Sequence, residues 1–235
     1  MSELYFRQWL AGRDVAHDDP LAAGMANYIY VIGDRSTGQA VVVDPAYAPE
    51  EIVAAVRADG LDVVGVVATH YHADHVGGSL MGRPIAGVAQ LLETCDVPVH
   101  VQRAERPWVE RGTGLAASSL VDHDDGDRLR VGEIEVTLVH TPGHTPGSQC
   151  LVVEDRMVSG DTLFLEGCGR TDLPGSDPEE MYRTLQSRLA GFDGAMRVFP
   201  GHRYHPAPSA PLAVLRQENP VLQPLEREEW LARYS

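Results

Sequence analysis

Three histidines and an aspartate within six positions form the part of the sequence with the clearest chemistry. The run His70-Tyr71-His72-Ala73-Asp74-His75 directly follows a valine-rich segment. Residues two apart on an extended chain point the same way, so His70 and His72 can present their imidazoles to one ion. Asp74 and His75 then face a second position nearby. Because imidazole nitrogens and carboxylate oxygens bind zinc and iron, this run predicts a metal site.

Three further candidate ligands each follow a predicted strand. His144 lies in a loop of proline and glycine residues, and such a loop has little conformational entropy to lose when it fixes a ligand. Asp161 follows a strand that ends at residue 159, and its carboxylate can bridge two cations because each oxygen offers lone pairs. His202 follows the last predicted strand. Separately each residue is typical of a turn, but together at successive strand ends they predict one shared site.

The elements that position these residues are short strands alternating with helices. In the first half, turn residues and hydrophobic spacing predict strands 28–32, 40–43, 61–69 and 97–101, helices 49–58 and 83–94, and an amphipathic stretch 104–112. In the second half they predict strands 128–131, 133–139, 149–153, 156–159 and 196–199, and helices 177–189 and 212–218. This order is compatible with an α/β fold in four layers, an αββα sandwich. We expect residues 1–205 to form one catalytic domain and residues 206–235 a short helical tail packed on it.

Composition excludes several classes of function. The chain has 19 basic residues against 34 acidic ones, a net charge of −15, which argues against nucleic acid as a partner. All the basic residues are arginine, so Schiff-base lysine chemistry and a P-loop lysine are excluded. The three cysteines are scattered and predict no disulfide framework. Because no apolar run has the length of a signal peptide or a membrane span, we expect a cytoplasmic protein without a membrane partner.

Four motifs together resemble those of the metallo-β-lactamase superfamily. They are Thr69 to His75, Pro142-Gly143-His144-Thr145, Ser159-Gly160-Asp161-Thr162 and Pro200-Gly201-His202, and they stand in the family's order between about residues 28 and 202. The resemblance implies an αββα sandwich with the metal site at one edge. It implies a first metal on His70, His72 and His144, a second on Asp74, His75 and His202, and Asp161 as the bridge. Asp44 matches an aspartate that family members place beneath the site.

A finer motif resembles two branches of that superfamily. Residues Gly167-Cys168-Gly169-Arg170-Thr171-Asp172 are similar to a segment of glyoxalase II and of the persulfide dioxygenases. The matching arginine of the dioxygenases contacts glutathione, so the resemblance implies that Arg170 binds substrate. Tyr204, two residues after His202, resembles a tyrosine of these relatives that can donate a hydrogen bond to the substrate. True β-lactamases are not expected because they are exported, and the nuclease branches usually need basic surfaces.

Three functions stay open from the sequence. The first is a thioester hydrolase with two zinc ions per chain, in which Asp74 and Asp161 act catalytically by orienting a metal-bridged hydroxide. The second is a persulfide dioxygenase with a single Fe(II) on His70, His144 and Asp161. The third is a metal-binding protein without catalysis. Structural zinc sites are closed by four ligands and are rich in cysteine, so the seven open ligands disfavour this third function.

Two departures from glyoxalase II bear on the substrate. Glyoxalase II continues into a sizeable helical domain after the position of His202, whereas 33 residues remain here, and it uses lysine to bind glutathione, whereas this chain has none. We therefore expect a small-molecule thioester or thiol conjugate other than glutathione. Trp108 and Leu115 could form a wall over an acyl group, which favours the hydrolase. A homo-oligomer is compatible with the sequence.

Overall fold

Runs of valine, isoleucine, leucine and tyrosine form the strands of two six-stranded sheets. The computed structural model describes residues 3–234. In chain order the strands are β1 (Leu4–Leu10), β2 (Tyr28–Asp34), β3 (Gln39–Val43), β4 (Asp62–Val67), β5 (Gly78–Leu80), β6 (Arg83–Ile85), β7 (Val99–Gln102), β8 (Leu120–His123), β9 (Asp127–Val131), β10 (Ile134–His140), β11 (Gln149–Val153), β12 (Arg156–Gly160), β13 (Arg197–Pro200) and β14 (Ala210–Pro211). The helices are α1 (Pro20–Met25), α2 (Pro49–Ala58), α3 (Ala73–Val76), α4 (Val88–Thr94), α5 (Arg106–Thr113), α6 (Pro178–Arg183), α7 (Leu212–Glu218) and α8 (Arg227–Tyr234).

The first sheet has the strand order β1-β2-β3-β4-β7-β8. Strands β1 to β3 pair antiparallel, whereas β3, β4, β7 and β8 are mutually parallel. Helix α2 makes the crossover between β3 and β4. Pro49 occupies its first turn, followed by the acidic Glu50 and Glu51, a composition that suits a helix start. Its buried face, which includes Ile52 and Val56, packs on the sheet.

The second sheet has the order β14-β13-β12-β11-β10-β9 and completes the sandwich. Three hydrophobic cores separate the four layers. Ile32 and Leu138 are buried between the two sheets. Ile52 belongs to the core between the first sheet and helices α2 and α4. Met181 and Trp230 belong to the core between the second sheet and helices α6 to α8. The chain is therefore an αββα sandwich of the α/β class, as predicted.

Strand direction brings five strand ends to one edge of this sandwich. Strands β3 and β4 run parallel in the first sheet, and β12 and β13 run parallel in the second. Strand β10 is antiparallel to β11, which is antiparallel to β12, so β10 points the same way as β12. The carboxyl ends of all five strands therefore lie together. Because β2 is antiparallel to β3, the amino end of β2 also lies there.

Two predicted elements differ from the structure. The predicted helix 83–94 is instead strand β6, paired with β5 in a hairpin, followed by helix α4 from Val88. Gly87 separates the two elements: its backbone is extended, and it packs so closely on the preceding chain that a Cβ atom there would lie 2.3 Å from the carbonyl oxygen of Val76, so the helix begins only after it. The predicted helix 177–189 begins at α6 with Asp177 as its cap, but it continues as a π-helical turn from Thr184.

Strand β1 was not predicted from the sequence, although it forms one edge of the first sheet. Its buried residues Tyr5 and Trp9 alternate irregularly with polar ones such as Arg7, so no clean period of two signals a strand. Pairing with the fully buried β2 along its whole length stabilises it. Among the helices of residues 3–234, none combines the length and hydropathy that a membrane span requires.

The last part of the described chain packs against the second sheet. Strand β14 pairs with β13, and α7 buries Leu212 and Leu215 in the core beneath it. The charged residues that follow form helix α8. Trp230 of α8 is completely buried, and its indole nitrogen donates to the carbonyl oxygen of Val221 at 3.0 Å.

Trp230 offers a direct test of how much this tail stabilises the domain. We expect Trp230→Ala to lower the free energy of unfolding by about 3 to 5 kcal/mol, because it removes a fully buried aromatic side chain. Urea denaturation followed by circular dichroism measures this. Glu228→Ala, on the exposed face of the same helix, is the control and should change stability by less than about 0.5 kcal/mol. Equal stability of the two variants would contradict the packing of the tail.

Candidate metal centre

All seven predicted ligands lie at the edge where the strand ends meet. The segment after β4 supplies His70, His72, Asp74 and His75, the loops after β10 and β13 supply His144 and His202, and the residue after β12 is Asp161. All seven except His72 are buried. Three groups of three residues each bring one possible ligand atom per residue within 4.8 Å of the others. Two of them are built from the predicted ligands alone, and the third joins Asp44 to His70 and His75.

The first group consists of His70, His72 and His144. The ring nitrogens Nε2 of His144 and Nδ1 of His72 are 3.0 Å apart. Nδ1 of His144 lies 2.8 Å from the carbonyl oxygen of Arg170, which can only accept, so Nδ1 carries the proton and Nε2 keeps its lone pair. His70 and His72 precede helix α3 in an extended loop, as the spacing predicted. Three imidazole lone pairs can therefore face one position.

The second group consists of Asp74, His75 and His202. Nδ1 of His202 donates to the carbonyl oxygen of Met25 at 2.8 Å, and the Nε2 atoms of His75 and His202 are 3.2 Å apart. Oδ2 of Asp74 lies 3.4 Å from Nε2 of His202 and 3.6 Å from Nε2 of His75. Two imidazole nitrogens and one carboxylate oxygen thus face a second position.

Asp161 lies between the two groups. Its Oδ1 atom is 3.4 Å from Nε2 of His75, and its Oδ2 atom is 3.3 Å from Nε2 of His202 and 3.7 Å from Nε2 of His144. Gly201 makes this approach possible, since a Cβ atom there would lie 2.2 Å from Oδ1 of Asp161. One carboxylate therefore contacts members of both groups.

Two buried polar atoms indicate that the residues fit a metal ion. Within residues 3–234, Nε2 of His70 and Oδ1 of Asp161 are buried and make no hydrogen bond. A buried polar atom without a partner is costly, and both atoms point to the groups that could hold an ion. Nitrogen and carboxylate donors without cysteine suit zinc or iron.

Asp44 orients one histidine of each group through hydrogen bonds. Its Oδ2 atom accepts from Nδ1 of His75 at 2.9 Å and from the hydroxyl of Thr69 at 2.6 Å, and its Oδ1 atom accepts from the backbone N–H of Thr69. Because the Thr69 hydroxyl donates to Asp44, it must accept from Nδ1 of His70, 3.0 Å away. Nε2 of His70 is then the free lone pair. Both oxygens of Asp44 are already engaged, so it orients the histidines rather than joining a ligand set.

Comparison with known proteins gives the family. Residues 23–202 match the family model of the metallo-beta-lactamase superfamily. The chain belongs to this superfamily. The match includes every residue of the two groups together with Asp44 and Asp161.

Relatives within the superfamily include hydrolases and dioxygenases. The "Probable polyketide biosynthesis zinc-dependent hydrolase" of Bacillus velezensis is 29% identical over 209 residues, 89% of this chain and 87% of that protein. The hydroxyacylglutathione hydrolase of Alkalilimnicola ehrlichii is 36% identical over 207 residues, 88% and 73% of the two chains. The mitochondrial persulfide dioxygenase of Bos taurus is 31% identical over 198 residues, 83% and 71%. The crystal structure of ETHE1 from Myxococcus xanthus matches with a TM-score of 0.77 at 28% identity, covering 97% and 88%.

These relatives confirm the predicted branch of the superfamily, the one similar to glyoxalase II and the persulfide dioxygenases. Metal-dependent hydrolases and dioxygenases are both represented. The metal-binding character of the superfamily agrees with the clustered histidines and carboxylates at the edge of the sandwich.

The charges of the two groups differ. Burial and the neighbouring imidazoles lower the pKa of His70 well below its usual value, and burial with His144 lowers the pKa of His72 to about 4. For His75 and His202, burial also acts to lower the pKa, but the adjacent carboxylates, Asp161 foremost, outweigh it and raise both values. The first group therefore offers neutral imidazoles, whereas the second is electrostatically balanced by its carboxylates.

Asn27 contacts two residues of the second group, and the sequence analysis did not identify it. It directly precedes β2, whose amino end lies at the site edge. Its side-chain nitrogen donates to Oδ2 of Asp74 at 3.0 Å and lies 3.1 Å from Nε2 of His75. Its side-chain oxygen accepts from the hydroxyl of Tyr47 at 3.2 Å. The sequence signal was a polar residue immediately before the apolar run 28–32.

The two predicted substrate-binding residues occupy different environments. The guanidinium of Arg170 is exposed and forms a bidentate pair with Asp172, at 2.8 Å for each bond, while its backbone carbonyl accepts from His144. Tyr204 is 55% exposed and its ring stacks on that of His202, with centroids 4.8 Å apart and planes 7° apart. Tyr204 therefore lies at the mouth of the site, and the charge of Arg170 is already matched.

Two aromatic side chains, Tyr71 and Trp108, lie beside the first group of ligands. The rings of Tyr71 and Trp108 stack with centroids 4.9 Å apart, and Tyr71 lies 4.6 Å from the ring of His72. The hydroxyl of Tyr71 donates to the carbonyl oxygen of Pro174 at 2.7 Å, which joins this surface to the loop after Asp161. The predicted wall at Trp108 is thus beside the site, whereas Leu115 packs on the core of the first sheet.

The remaining histidines and Cys168 do not join the two groups. His100 and His123 pair with each other at 2.9 Å between β7 and β8. His140 bonds the carbonyl oxygen of Pro146 at 2.8 Å and so supports the His144 loop from outside. Burial raises the pKa of the Cys168 thiol to about 12, so it stays protonated and is a poor nucleophile.

Asp44 is the residue whose substitution tests the support of the site. We expect Asp44→Asn to lower zinc affinity about ten- to a hundredfold, because the NH2 group of asparagine would face an N–H donor, either the backbone N–H of Thr69 or Nδ1 of His75. Competition with a chromophoric chelator measures this affinity. Asp34→Asn is the matched control, because Asp34 is equally buried at the far end of β2 and accepts from Ser36 and Glu133. Unchanged zinc affinity in Asp44→Asn would contradict the role of Asp44 in orienting the histidines.

Proposed function

We propose that this protein is a zinc-dependent hydrolase that cleaves small-molecule thioesters. The observation that carries the proposal is the carboxylate of Asp161, whose two oxygens face the two groups of candidate ligands. A single ion on His70, His144 and Asp161 would leave the second group of candidate ligands without a metal. Here Asp74, His75 and His202 are buried together and held by hydrogen bonds to Asn27, Asp44 and the carbonyl oxygen of Met25.

In this proposal the first zinc ion would be held by His70, His72 and His144, the second by Asp74, His75 and His202, and both by Asp161. A pair of zinc ions lowers the pKa of a bound water, so that hydroxide is available near neutral pH, and it polarises a substrate carbonyl. Asp74 and Asp161 are the catalytic residues of the chain itself. Their oxygens accept hydrogen bonds from the attacking water and so orient it toward the carbonyl carbon.

The proposed reaction adds water across the thioester. A bond forms between the water oxygen and the carbonyl carbon, and the carbon–sulfur bond breaks with its electrons going to sulfur. The attacking water gives up one proton and the departing thiolate takes one up, so that the products are a carboxylic acid and a thiol. A thiolate is a good leaving group and needs little acid assistance. Tyr204 donates its hydroxyl proton in a hydrogen bond to the substrate oxygen. Burial raises the pKa of Tyr204, so this donor stays protonated in the neutral range.

The surroundings of the site support an apolar acyl or thiol group in the substrate. Tyr71 and Trp108 flank the first group of ligands, and Phe164 and Tyr204, in edge-to-face contact at 5.0 Å, flank the second. Arg170 is the candidate for binding an anionic thiol, but Asp172 already neutralises it. Together with the net charge of −15, this arrangement favours thioesters less acidic than glutathione conjugates.

A persulfide dioxygenase is the second candidate function. It would use one Fe(II) on His70, His144 and Asp161, a set of two imidazoles and one carboxylate that leaves positions open for substrate and oxygen. The similarity to the Bos taurus dioxygenase favours it. The extensively supported second group disfavours it. A protein that binds metal without turnover is compatible with the ligands, but the aromatic side chains that flank them favour a site that also binds substrate.

Metal content and activity test the proposal together. In protein grown without metal supplements, we expect elemental mass spectrometry to give about two zinc ions per chain. A panel of thioesters should then release thiol, and dialysis against a chelator should abolish this activity until zinc is restored. About one iron per chain, with oxygen consumption on addition of a persulfide, would refute the hydrolase in favour of the dioxygenase. Metal without either activity would favour the non-catalytic protein.

Tyr204 tests the assignment of the substrate donor. We expect Tyr204→Phe to lower kcat by about a hundredfold with little change in KM, because one hydrogen bond to a developing oxyanion is lost. The ring of phenylalanine can still stack on His202, so zinc content should not change. A wild-type kcat in this variant would show that the hydroxyl does not contact the reacting oxygen.

A further inference from the structure

Glu105 is a buried carboxylate that none of the proposed chemistry uses. It precedes helix α5 and its side chain is completely inaccessible to solvent. Among the described residues no arginine or histidine forms an ion pair with it. Burial raises the pKa of Glu105 to about 7, against the opposing effect of hydrogen bonds from Thr145, Tyr71 and Gly147. Burying an acid without a cation is costly, so its position calls for a reason.

The hydrogen bonds of Glu105 join two loops that are distant in sequence. Oε1 accepts from the backbone N–H of Tyr71 at 2.7 Å, and Oε2 accepts from the backbone N–H of Gly147 at 2.6 Å. Tyr71 lies between His70 and His72, and Gly147 lies three residues after His144. One carboxylate therefore ties together the two chain segments that carry all three histidines of the first group.

Close packing shows that the contact with Gly147 is built into the fold. A Cβ atom on Gly147 would lie 2.4 Å from the backbone nitrogen and 2.5 Å from Cβ of Glu105, closer than such atoms can approach. Only glycine lets the His144 loop come near enough for its N–H to reach the carboxylate. Both oxygens accept from N–H donors at fixed positions, so the spacing between the two loops follows from the width of one carboxylate.

The second group of ligands does not depend on this contact. Asp74 and His75 are held by Asn27 and Asp44, and His202 by the carbonyl oxygen of Met25. These supports come from the amino half of the first sheet, whereas Glu105 stands before α5. The effect of Glu105 on metal binding should therefore be confined to one of the two positions.

We propose that Glu105 is a positioning residue for the first metal, setting the distance between the His70-to-His72 loop and the His144 loop. This inference rests on the two-group metal centre of the proposed function, but not on the thioesterase reaction. Glutamine at position 105 keeps the size of the side chain and replaces one accepting oxygen by an NH2 group. That group would face an N–H donor, so one of the two loops would lose its anchor.

The test measures the zinc affinity of two single variants, each of which retains only one of the two metal positions, with and without Glu105→Gln. In His202→Ala, where the first group is intact, we expect the added Glu105→Gln to weaken zinc binding by about ten- to a hundredfold. In His144→Ala, which removes a member of the first group and leaves the second group intact, the same change should alter affinity by less than about twofold. Chelator competition on metal-free protein gives both values. The visible spectrum of the Co(II) form should change only in the His202→Ala background, which a general loss of stability would not produce.

Two further variants keep the outcome decisive. Glu110→Gln, on the partly exposed face of α5 where Glu110 pairs with Arg106, should leave zinc affinity unchanged in both backgrounds. Gly147→Ala pushes the His144 loop away from the same carboxylate and should reproduce the selective loss, which covers the case in which Glu105→Gln does not fold. Equal losses at both positions, or none at either, would overturn the inference. Absence of thioesterase activity in the wild type would refute the proposed reaction and leave this comparison intact.

Discussion

Crowding of ionisable groups is the constraint on which the rest of the structure depends. Five imidazoles and two carboxylates meet at one edge of the sandwich, with side-chain nitrogens and oxygens between 3.0 and 3.7 Å apart. Burying these groups together is costly unless each finds a partner, and the atoms of His70 and Asp161 that make no hydrogen bond mark where a cation would supply one. The sheets and loops around this edge stabilise the arrangement and so offset the free-energy cost of burying these groups.

Orientation of the histidines is distributed over the whole fold. Four of the five are fixed at Nδ1 by different parts of the chain: carbonyl oxygens of residues 25 and 170, Asp44 and the Thr69 hydroxyl. Each of these contacts protonates Nδ1 and so directs the lone pair of Nε2 to the centre. The partners come from both sheets, which explains why ligands spread over more than a hundred positions converge. The strand pairing also brings the ligands together: β3 is parallel to β4 and β12 to β13, so the carboxyl ends of each pair lie side by side.

The sandwich and the positions of the candidate ligands could be predicted from the sequence, because both depend on short-range patterns of neighbouring residues. The spacing of His70 to His75 and the proline-glycine loops place ligands directly after strands, and valine-rich runs mark the buried strands. Asn27 and Glu105 could not be found in this way. Each acts on residues more than thirty positions away, through contacts that exist only after the sheets have formed. Strand β1 was missed for a related reason, since pairing with β2 rather than its own pattern decides its conformation.

Separate supports for the two ligand groups give a physical reason why one scaffold can host different metal contents. The first group depends on Glu105 and the carbonyl oxygen of Arg170, and the second on Asn27 and the carbonyl oxygen of Met25. Both groups contact Asp161, and both are supported by Asp44, which bonds His75 directly and His70 through the Thr69 hydroxyl. Changes near residues 25–27 can therefore weaken the second position while the first keeps its geometry. The first position would then keep three imidazoles with Asp161. They include His70, His144 and Asp161, the two imidazoles and one carboxylate that are typical of mononuclear iron oxygenases, so a few contacts outside the ligands themselves can separate hydrolase from dioxygenase chemistry.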